Sequence, residues 1–281
     1  MYFPSRFDLK RALQLGKLIE QAYEQFDSFE MHSEWRQPDG YQLIKEIRYG
    51  SKGNGIIDED NVIGSYLLKL PFFKGRKTAV IPIGFVAQHG KEAYIIFRGT
   101  QTPREWINNF NAKLSPFFIA DHGNAHDGFV GIYLNVRNQV LEVVRQLKKV
   151  KEIYVAGHSL GAAFATFSAC DIEKTLGIKI HALYTYGSPR IGDNDFATAF
   201  NLSFSQKSFR IMNTSDMVTE VPFPTTFAGF LGGYFSHIDT PVAFTVQEND
   251  LEKNHEMSTY LSALAQGKPG ILQKVSNFFA R

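Results

Sequence analysis

The segment "GHSLG" sets Ser159 between Gly157 and Gly161. A serine hydroxyl attacks an ester or amide carbonyl only when it is exposed to the substrate and a neighbouring base removes its proton. In the G-x-S-x-G turn, a strand leads into the serine, a helix leaves it, and the glycines make room for the sharp bend. The competing interpretation is a glycine-lined loop whose serine is incidental.

The residues on either side of this motif favour the nucleophile turn. The segment "EIYVA" (152–156) precedes it and reads as a buried strand, and "AAFATFSACDIEK" (162–174) follows it with the character of a helix. Leu160 then lies at the start of that helix, where its backbone N–H can help to hold a developing oxyanion. The pattern therefore predicts that Ser159 is a nucleophile.

A nucleophilic serine needs a general base and an acid that orients the base, and with this turn they follow in the order Ser, Asp or Glu, His. Three histidines lie beyond the motif, at His181, His237 and His255. His181 begins a predicted strand, and His237, beside Asp239, opens another, so both are expected at the amino edge of a sheet. His255 lies in a polar loop at the start of a predicted helix, and such loops carry functional residues. His255 is the predicted base.

Two aspartates compete for the role of the acid. Asp216 directly follows the predicted strand "SFRIMN" (208–213), in the segment "NTSDMVTEVP". Its alternative role is that of a turn residue whose carboxylate bonds its own backbone. Asp250 is the weaker candidate, because it lies close in sequence to His255 and follows a different strand.

Hydrophobic periodicity predicts the elements that position these residues. Residues 8–26 carry apolar side chains at helical spacing and predict a helix that docks one face on the body of the protein. Beyond residue 130, predicted helices and strands alternate, which is typical of βαβ crossovers and a mainly parallel sheet. Before the motif, strands are predicted over 41–49, 80–88 and 93–100, the last two as a hairpin.

The composition, with 44% hydrophobic and 21% charged residues, is that of a globular protein, and the length fits one domain over residues 1–281. The net charge of +2 and the short basic clusters indicate solvated faces and no nucleic-acid partner. No apolar run reaches the roughly 18 residues of a transmembrane helix, and no signal peptide is evident. We therefore expect a cytoplasmic protein or one peripheral to a membrane. Cys170 is the only cysteine, which excludes an intramolecular disulfide.

Seven short motifs follow one another between Gly84 and Leu261. They are "IIFRGT" (95–100), "HDGF" (126–129), "GHSLGAA" (157–163), "YGSPRIG" (186–192), "NTSDMVTEVP" (213–222), "FSHI" (235–238) and "NHEMSTYL" (254–261). In order and approximate spacing this series resembles the class 3 lipases, the group typified by filamentous-fungal triacylglycerol lipases. The resemblance implies an α/β-hydrolase fold, in which helices flank a mainly parallel central sheet. Residues 1–80 match nothing in that family.

The resemblance also implies roles for five residues. Ser159 is the nucleophile, His255 the general base, and Asp216 the residue that orients the base. Thr100 and the N–H of Leu160 hold the oxyanion, although Thr100 is otherwise a turn residue at the end of a strand. The implied reaction is cleavage of an acyl-lipid ester through an acyl-serine, without metal or cofactor. A phospholipid or galactolipid acyl hydrolase, a soluble-ester esterase and a catalytically silent binding protein stay open.

The segment "TPREWINNFNAKL" (102–114) follows Thr100 and predicts a short amphipathic helix with a capping box at its start. The resemblance implies that this helix is a lid, whose residues Trp106, Ile107 and Phe110 cover the active site and turn toward lipid at an interface. The alternative is a surface helix that packs permanently on the core.

Overall fold

The computed structural model of the protein describes residues 1, 3–50, 80–100, 113–222 and 234–267. The predicted lid residues Trp106, Ile107 and Phe110 lie outside these ranges. The α-helices among the described residues are α1 (Leu9–Glu30), α2 (Asp127–Gln146), α3 (Leu160–Leu176), α4 (Asn194–Phe204), α5 (Leu251–His255) and α6 (Met257–Gln266).

The described strands divide between a long sheet and a short one. They are β1 (Gln42–Tyr49), β2 (Ile81–His89), β3 (Glu92–Phe97), β4 (Leu114–Pro116), β5 (Asn124–His126), β6 (Glu152–His158), β7 (Ala182–Tyr186), β8 (Gly192–Asp193), β9 (Ser208–Asn213), β10 (Phe235–Ser236) and β11 (Thr240–Phe244).

The long sheet has seven strands in the order β1-β2-β3-β6-β7-β9-β11. Its first two pairings are antiparallel, so β2 and β3 form the predicted hairpin. The remaining four pairings are parallel, which confirms the predicted mainly parallel sheet. The carboxyl ends of the parallel strands lie at one edge, and functional groups that follow these strands are brought together there.

The short sheet, of order β10-β8-β5-β4, is antiparallel. It corrects the predicted extent of the helix over 102–114, because Leu114 begins β4 and pairs with His126 of β5. The sequence did not reveal this sheet, since strands of two or three residues are too short to show an alternating pattern.

Two apolar layers cover the long sheet because alternate residues of a strand point to opposite faces. In β6, Ile153 and Val155 belong to the hydrophobic cluster beneath α2, α3 and α4. Tyr154 and Ala156 belong to the cluster on the other face, which α1 and α6 cover. Cys170 is buried within α3 and behaves as a small apolar residue.

Helix α1 docks on the sheet as its periodicity predicts, and it extends beyond the predicted range to Glu30. Asp8 caps it by accepting a hydrogen bond from the amide of Arg11 at 3.0 Å. Its buried face includes Leu15 and Ile19, which belong to the same hydrophobic cluster as Phe85 of β2 and Ile96 of β3. Among the described residues, none of the helices combines the length and apolar character that crossing a membrane requires.

Candidate active site

Ser159 is the single residue between the end of β6 and the start of α3, as the motif predicts. Its backbone angles, φ 57° and ψ −129°, lie in a region that strains any residue with a side chain. Its amide donates a 2.9 Å hydrogen bond to the carbonyl of Tyr186, which fixes the turn to β7. Ser159 is fully buried, and its Oγ has no hydrogen-bond partner among the described residues.

Both glycines of the motif are required by close backbone approach. A Cβ on Gly157 would lie 2.1 Å from the carbonyl oxygen of Gly161, and a Cβ on Gly161 would lie 2.4 Å from that of Arg98. Neither backbone atom can move aside without breaking the strand-to-helix turn. The strain at Ser159 is therefore held by the packing around it.

His255 and Asp216 form the buried pair that the sequence predicts. Nδ1 of His255 lies 2.6 Å from Oδ2 of Asp216, and both residues are 1% exposed. Because a carboxylate only accepts, Nδ1 carries the proton and Nε2 is left as the basic nitrogen. Nε2 has no hydrogen-bond partner within the described ranges, and the structure shows no hydrogen bond between it and Ser159 Oγ. Such hydrogen bonds are often long in the absence of substrate.

The weaker candidate for the acid, Asp250, is the N-cap residue of a helix. Its carboxylate caps α5 by accepting hydrogen bonds from the amides of Glu252 and Lys253, at 2.8 and 3.0 Å. This cap starts a helix that the sequence analysis missed. His255 is consequently the last residue of a short helix, and its predicted place in a polar loop is wrong.

Two asparagines fasten the segment of His255 to the loop of Asp216. Nδ2 of Asn213 donates to the carbonyl of Asn254 at 3.0 Å, and Nδ2 of Asn254 donates to the carbonyl of Ser215 at 3.1 Å. Both asparagines are buried, so these bonds are shielded from water. They hold base and acid at a fixed separation although the two residues are 39 positions apart in the sequence.

Asp216 accepts two further hydrogen bonds, of which the sequence indicated only the one to its own backbone. Its Oδ1 accepts from the amide of Val218 at 2.9 Å, so the carboxylate also acts as the predicted turn-type cap of its own backbone. Its Oδ2 accepts from the hydroxyl of Tyr260 at 2.6 Å. Burial, together with the charge of Asp216, raises the pKa of Tyr260 well above its usual value, so the phenol remains a donor.

Gly187 lies against the paired side chains of base and acid. Its φ is +55°, and a Cβ placed on it would be 2.9 Å from Cε1 of His255 and 3.2 Å from Oδ2 of Asp216. A side chain here has both an unfavourable backbone and no space. The glycine therefore shapes the wall against which the imidazole stands.

Thr100 and Leu160 occupy the positions expected of oxyanion donors. Thr100 follows β3, is 3% exposed, and its Oγ1 has no partner among the described residues. Leu160 is the first residue of α3, where a backbone N–H has no acceptor inside the helix. Thr100 and His255 line one cavity of about 650 Å³, together with Tyr23 of α1. The structure thus brings all five predicted residues to one edge of the sheet.

The two rejected histidines lie in other surroundings. His181 directly precedes β7, as predicted, and its ring lies 5.0 Å from that of Tyr154. His237 precedes β11, and its Nε2 bonds the carbonyl of Thr219 at 2.8 Å. Burial, with the nearby charge of Arg210, lowers the pKa of His237 to about 3. Neither histidine bonds Ser159 or Asp216.

A family model for lipase (class 3) matches residues 94–226, a stretch that contains Thr100, Ser159 and Asp216. The match covers slightly less than half of the chain, so it shows a similarity to the class 3 lipases over this central stretch. The chain is 34% identical to the lipase of Rhizomucor miehei over 171 aligned residues, in a match that covers 58% of this chain and 46% of that protein.

A second relative of this chain is the chloroplastic phospholipase A(1) DAD1 of Arabidopsis thaliana. The two are 27% identical over 256 residues, which cover 76% of this chain and 55% of DAD1. The chain spans about half the length of the curated relatives that it matches.

The fold of this chain is that of solved fungal lipases. A structure of the Rhizomucor miehei triacylglyceride lipase superposes with a TM-score of 0.62 at 21% identity, over 89% of this chain and 83% of that one. The α/β-hydrolase fold predicted from the motif series is thereby confirmed.

Proposed function

We propose that this protein is a serine hydrolase of the class 3 lipase type, which cleaves carboxylic ester bonds of acyl lipids through an acyl-serine intermediate. The observation that carries the proposal is the 2.6 Å hydrogen bond between His255 and Asp216 at the edge of the sheet where Ser159 stands in its strained turn. A serine, a histidine and an aspartate in these relations supply a nucleophile, a base and a group that orients the base.

In the acylation step, Oγ of Ser159 attacks the ester carbonyl carbon while Nε2 of His255 takes the hydroxyl proton. The imidazolium that forms is stabilised by the carboxylate of Asp216, which stays ionised. The negative charge gathers on the former carbonyl oxygen, within reach of the Leu160 amide and the Thr100 hydroxyl. Donors already in place stabilise this charge strongly because they need no reorganisation at the moment of reaction.

Collapse of the tetrahedral intermediate breaks the bond to the alcohol. Nε2 of His255 returns its proton to the departing alkoxide, and the acyl group remains on Ser159 as an ester. A water molecule then takes the place of the alcohol, giving its proton to His255 and its oxygen to the acyl carbon. The second collapse releases the carboxylic acid and restores the hydroxyl.

The proposal is tested by labelling with a fluorophosphonate and by turnover of esters of graded chain length, soluble and emulsified. The Ser159→Ala variant should lose both labelling and turnover, the latter by on the order of 10⁶-fold. Ser168→Ala is the matched control, because Ser168 is a buried serine on the same helix α3. Turnover by Ser159→Ala at the wild-type rate contradicts the proposal, and a wild type that neither labels nor turns over marks a silent binding protein.

A second candidate is hydrolysis of an acyl ester in a phospholipid. It is favoured by the similarity to the phospholipase A(1) DAD1, which covers 76% of this chain. The same two-step chemistry applies, and only the alcohol that leaves differs. Emulsified triacylglycerol, phosphatidylcholine vesicles, a galactolipid dispersion and a soluble short-chain ester, assayed side by side, separate the lipase, the two polar-lipid hydrolases and the esterase.

Contact with a lipid surface through a lid remains a prediction from the sequence. The helix predicted from residue 102 begins two residues beyond Thr100, so its opening would control access to the cavity that Thr100 and His255 line. Exposing an apolar face to water is unfavourable, and a lipid surface that covers this face stabilises the open form.

A further inference from the structure

The imidazole of His158 lies between two segments that are distant in sequence. Its Nε2 is 2.8 Å from the carbonyl oxygen of His255, and its Nδ1 is 2.7 Å from Oη of Tyr23 on α1. The same tyrosine oxygen accepts a 3.0 Å hydrogen bond from the amide of Gly99. We call this continuous chain of hydrogen bonds, through Gly99, Tyr23, His158 and His255, the Tyr23 bridge.

The partners of each atom fix the direction of every hydrogen bond in the bridge. A carbonyl only accepts, so Nε2 of His158 carries the proton that points to His255. Burial, with His255 beside it, lowers the pKa of His158 well below its usual value, so the ring is neutral and Nδ1 is an acceptor. The hydroxyl of Tyr23 therefore donates to Nδ1, and its oxygen still accepts from Gly99. No donor or acceptor in the bridge is left unused.

The bridge reaches the three places where the proposed reaction occurs. One end lies at the residue before Thr100, the middle lies at the residue before Ser159, and the other end is the backbone of His255. We infer that Tyr23 and His158 are positioning residues, which set the distances between the nucleophile, the base and the oxyanion donor. This inference rests on the proposed ester hydrolysis, and it makes α1 a working part of the active site.

Close packing explains how one hydroxyl affects the position of the nucleophile. A Cβ on Gly99 would lie 2.5 Å from Cβ of Ser159 and 2.7 Å from Oη of Tyr23. The backbone at Gly99 is thus confined between the tyrosine and the serine, and a shift of one displaces the other. Positions of reacting groups matter at this scale, since a displacement of about 1 Å can cost on the order of 10²-fold in rate.

Tyr23 also belongs to the site by location. Its side chain lines the cavity that Thr100 and His255 line, and its ring packs edge-on against His158 with centroids 5.8 Å apart. None of the seven motifs lies within residues 1–80. The sequence therefore predicts that α1 docks one face on the protein, but it predicts no role for Tyr23. The contact joins residues 135 positions apart, which explains why local patterns do not reveal it.

The test is the Tyr23→Phe variant, which removes only the hydroxyl. We expect kcat for a soluble short-chain p-nitrophenyl ester to fall on the order of 10- to 100-fold, with KM changed less than twofold. Fluorophosphonate labelling of Ser159 should slow by a similar factor. A role confined to stability leaves kcat per folded molecule unchanged and lowers only the melting temperature, and an unchanged kcat therefore overturns the inference.

Tyr184→Phe is the matched control, because this tyrosine also ties α1 to the sheet, through a 3.3 Å hydrogen bond from the amide of Asp8. It acts at the amino end of α1, away from the cavity that Tyr23 lines. We expect its kcat to match the wild type. If Tyr184→Phe loses as much kcat as Tyr23→Phe, the loss reflects general loosening of the helix, and the bridge is rejected.

Substitutions of His158 test whether the bridge acts as one unit. His158→Gln keeps one donor and one acceptor and should retain more kcat than His158→Leu, which keeps neither. Combining His158→Leu with Tyr23→Phe should cost less kcat than the product of the two single losses, because both variants cut the same bridge. Independent, multiplied losses contradict a single bridge.

The wild-type enzyme distinguishes failure of this inference from failure of the proposed function. An inactive wild type, or a Ser159→Ala variant as active as the wild type, overturns the ester hydrolysis and the bridge together. An active wild type that depends on Ser159 but not on the hydroxyl of Tyr23 overturns the bridge alone.

Discussion

The hydroxyl of Tyr260 donates a 2.6 Å hydrogen bond to Oδ2 of Asp216, the same oxygen that accepts from Nδ1 of His255 at 2.6 Å. Two donors therefore share the charge of one carboxylate oxygen. The Tyr260 hydroxyl also accepts from the amide of Asn213 at 3.2 Å, which fixes its direction. The arrangement weakens the attraction of Asp216 for a proton on the imidazole.

The Tyr260→Phe variant tests this sharing of the Asp216 charge. Without the phenol, the carboxylate stabilises the imidazolium more strongly, and the acid limb of kcat/KM against pH should move up by roughly half a unit. The plateau rate should fall less than tenfold. Tyr154→Phe is the control, since its hydroxyl donates to Glu152, where β6 begins, at 2.7 Å. An acid limb that stays or moves to lower pH contradicts the arrangement.

Asp216→Asn should lower kcat by about 10⁴-fold, because an amide cannot stabilise the imidazolium and favours the wrong tautomer of His255. Asp250→Asn should be nearly neutral, since asparagine caps helices as well as aspartate does. Steady-state kinetics with one soluble ester measures both. The reverse ranking would assign the acid's role to Asp250, although its carboxylate bonds the amides of Glu252 and Lys253.

The sequence predicts those parts of the site that depend on local pattern or chain order. Ser159 is found from a motif with its strand and helix, and His255 from its place beyond the last predicted strand. Tyr260 and Tyr23 escape such reasoning, because their hydroxyls reach partners 44 and 135 residues away. Nothing in a local window distinguishes them from ordinary core tyrosines.

The errors in the predicted elements also have physical causes. The helix that ends at His255 was missed because five residues are too few for a periodic signal, and only the Asp250 cap marks its start. The short sheet was missed for the same reason. The main sheet was predicted correctly, because the alternation of helices and strands extends over many elements. It can be recognised even when the ends of each element are uncertain.

Gly187→Ala should lower kcat strongly. If no atom moves, the new methyl group lies about 3 Å from the ring of His255, so the ring must be displaced. Gly177→Ala is a matched control, since Gly177 has a similar φ of +68° but no atom within 4 Å of an added Cβ. Both variants should lose melting temperature through the strained backbone. Only Gly187→Ala should lose kcat per folded molecule, and equal activity of the two variants would show that Gly187 does not shape the site.

The predicted lid is tested with Trp106→Ser. If the helix is mobile, this variant should lose activity on emulsified long-chain substrate far more than on a monomeric short-chain ester, with an unchanged melting temperature. Removing a permanently buried indole instead costs about 3–5 kcal/mol of stability and lowers both activities together. Trp35→Ser is the control for a packed indole, because the Trp35 ring lies 5.4 Å from that of Phe85. Parallel losses in Trp106→Ser reject the lid.

Asp239→Asn should stabilise the protein, and more so at pH 8 than at pH 5. Burial raises the pKa of the Asp239 carboxyl to about 7, although the charge of Arg210 opposes the shift. An unfolded chain releases this proton near pH 4, so between about pH 4 and 7 the native state binds more protons and wild-type stability falls as pH rises. Asparagine removes that loss and tolerates the φ of +74° at this position.

The measurement is the difference in melting temperature between Asp239→Asn and the wild type at the two pH values. Asp121→Asn is the control, because Asp121 has a similar φ of +62° but an exposed side chain. The control should shift little between pH 5 and pH 8. Burial keeps water from the ionised carboxylate of Asp239 in the folded state, so only Asp239→Asn should gain with pH. If the gain in melting temperature is smaller at pH 8 than at pH 5, the ionised carboxylate of Asp239 stabilises the native protein, and the expectation based on its burial is wrong.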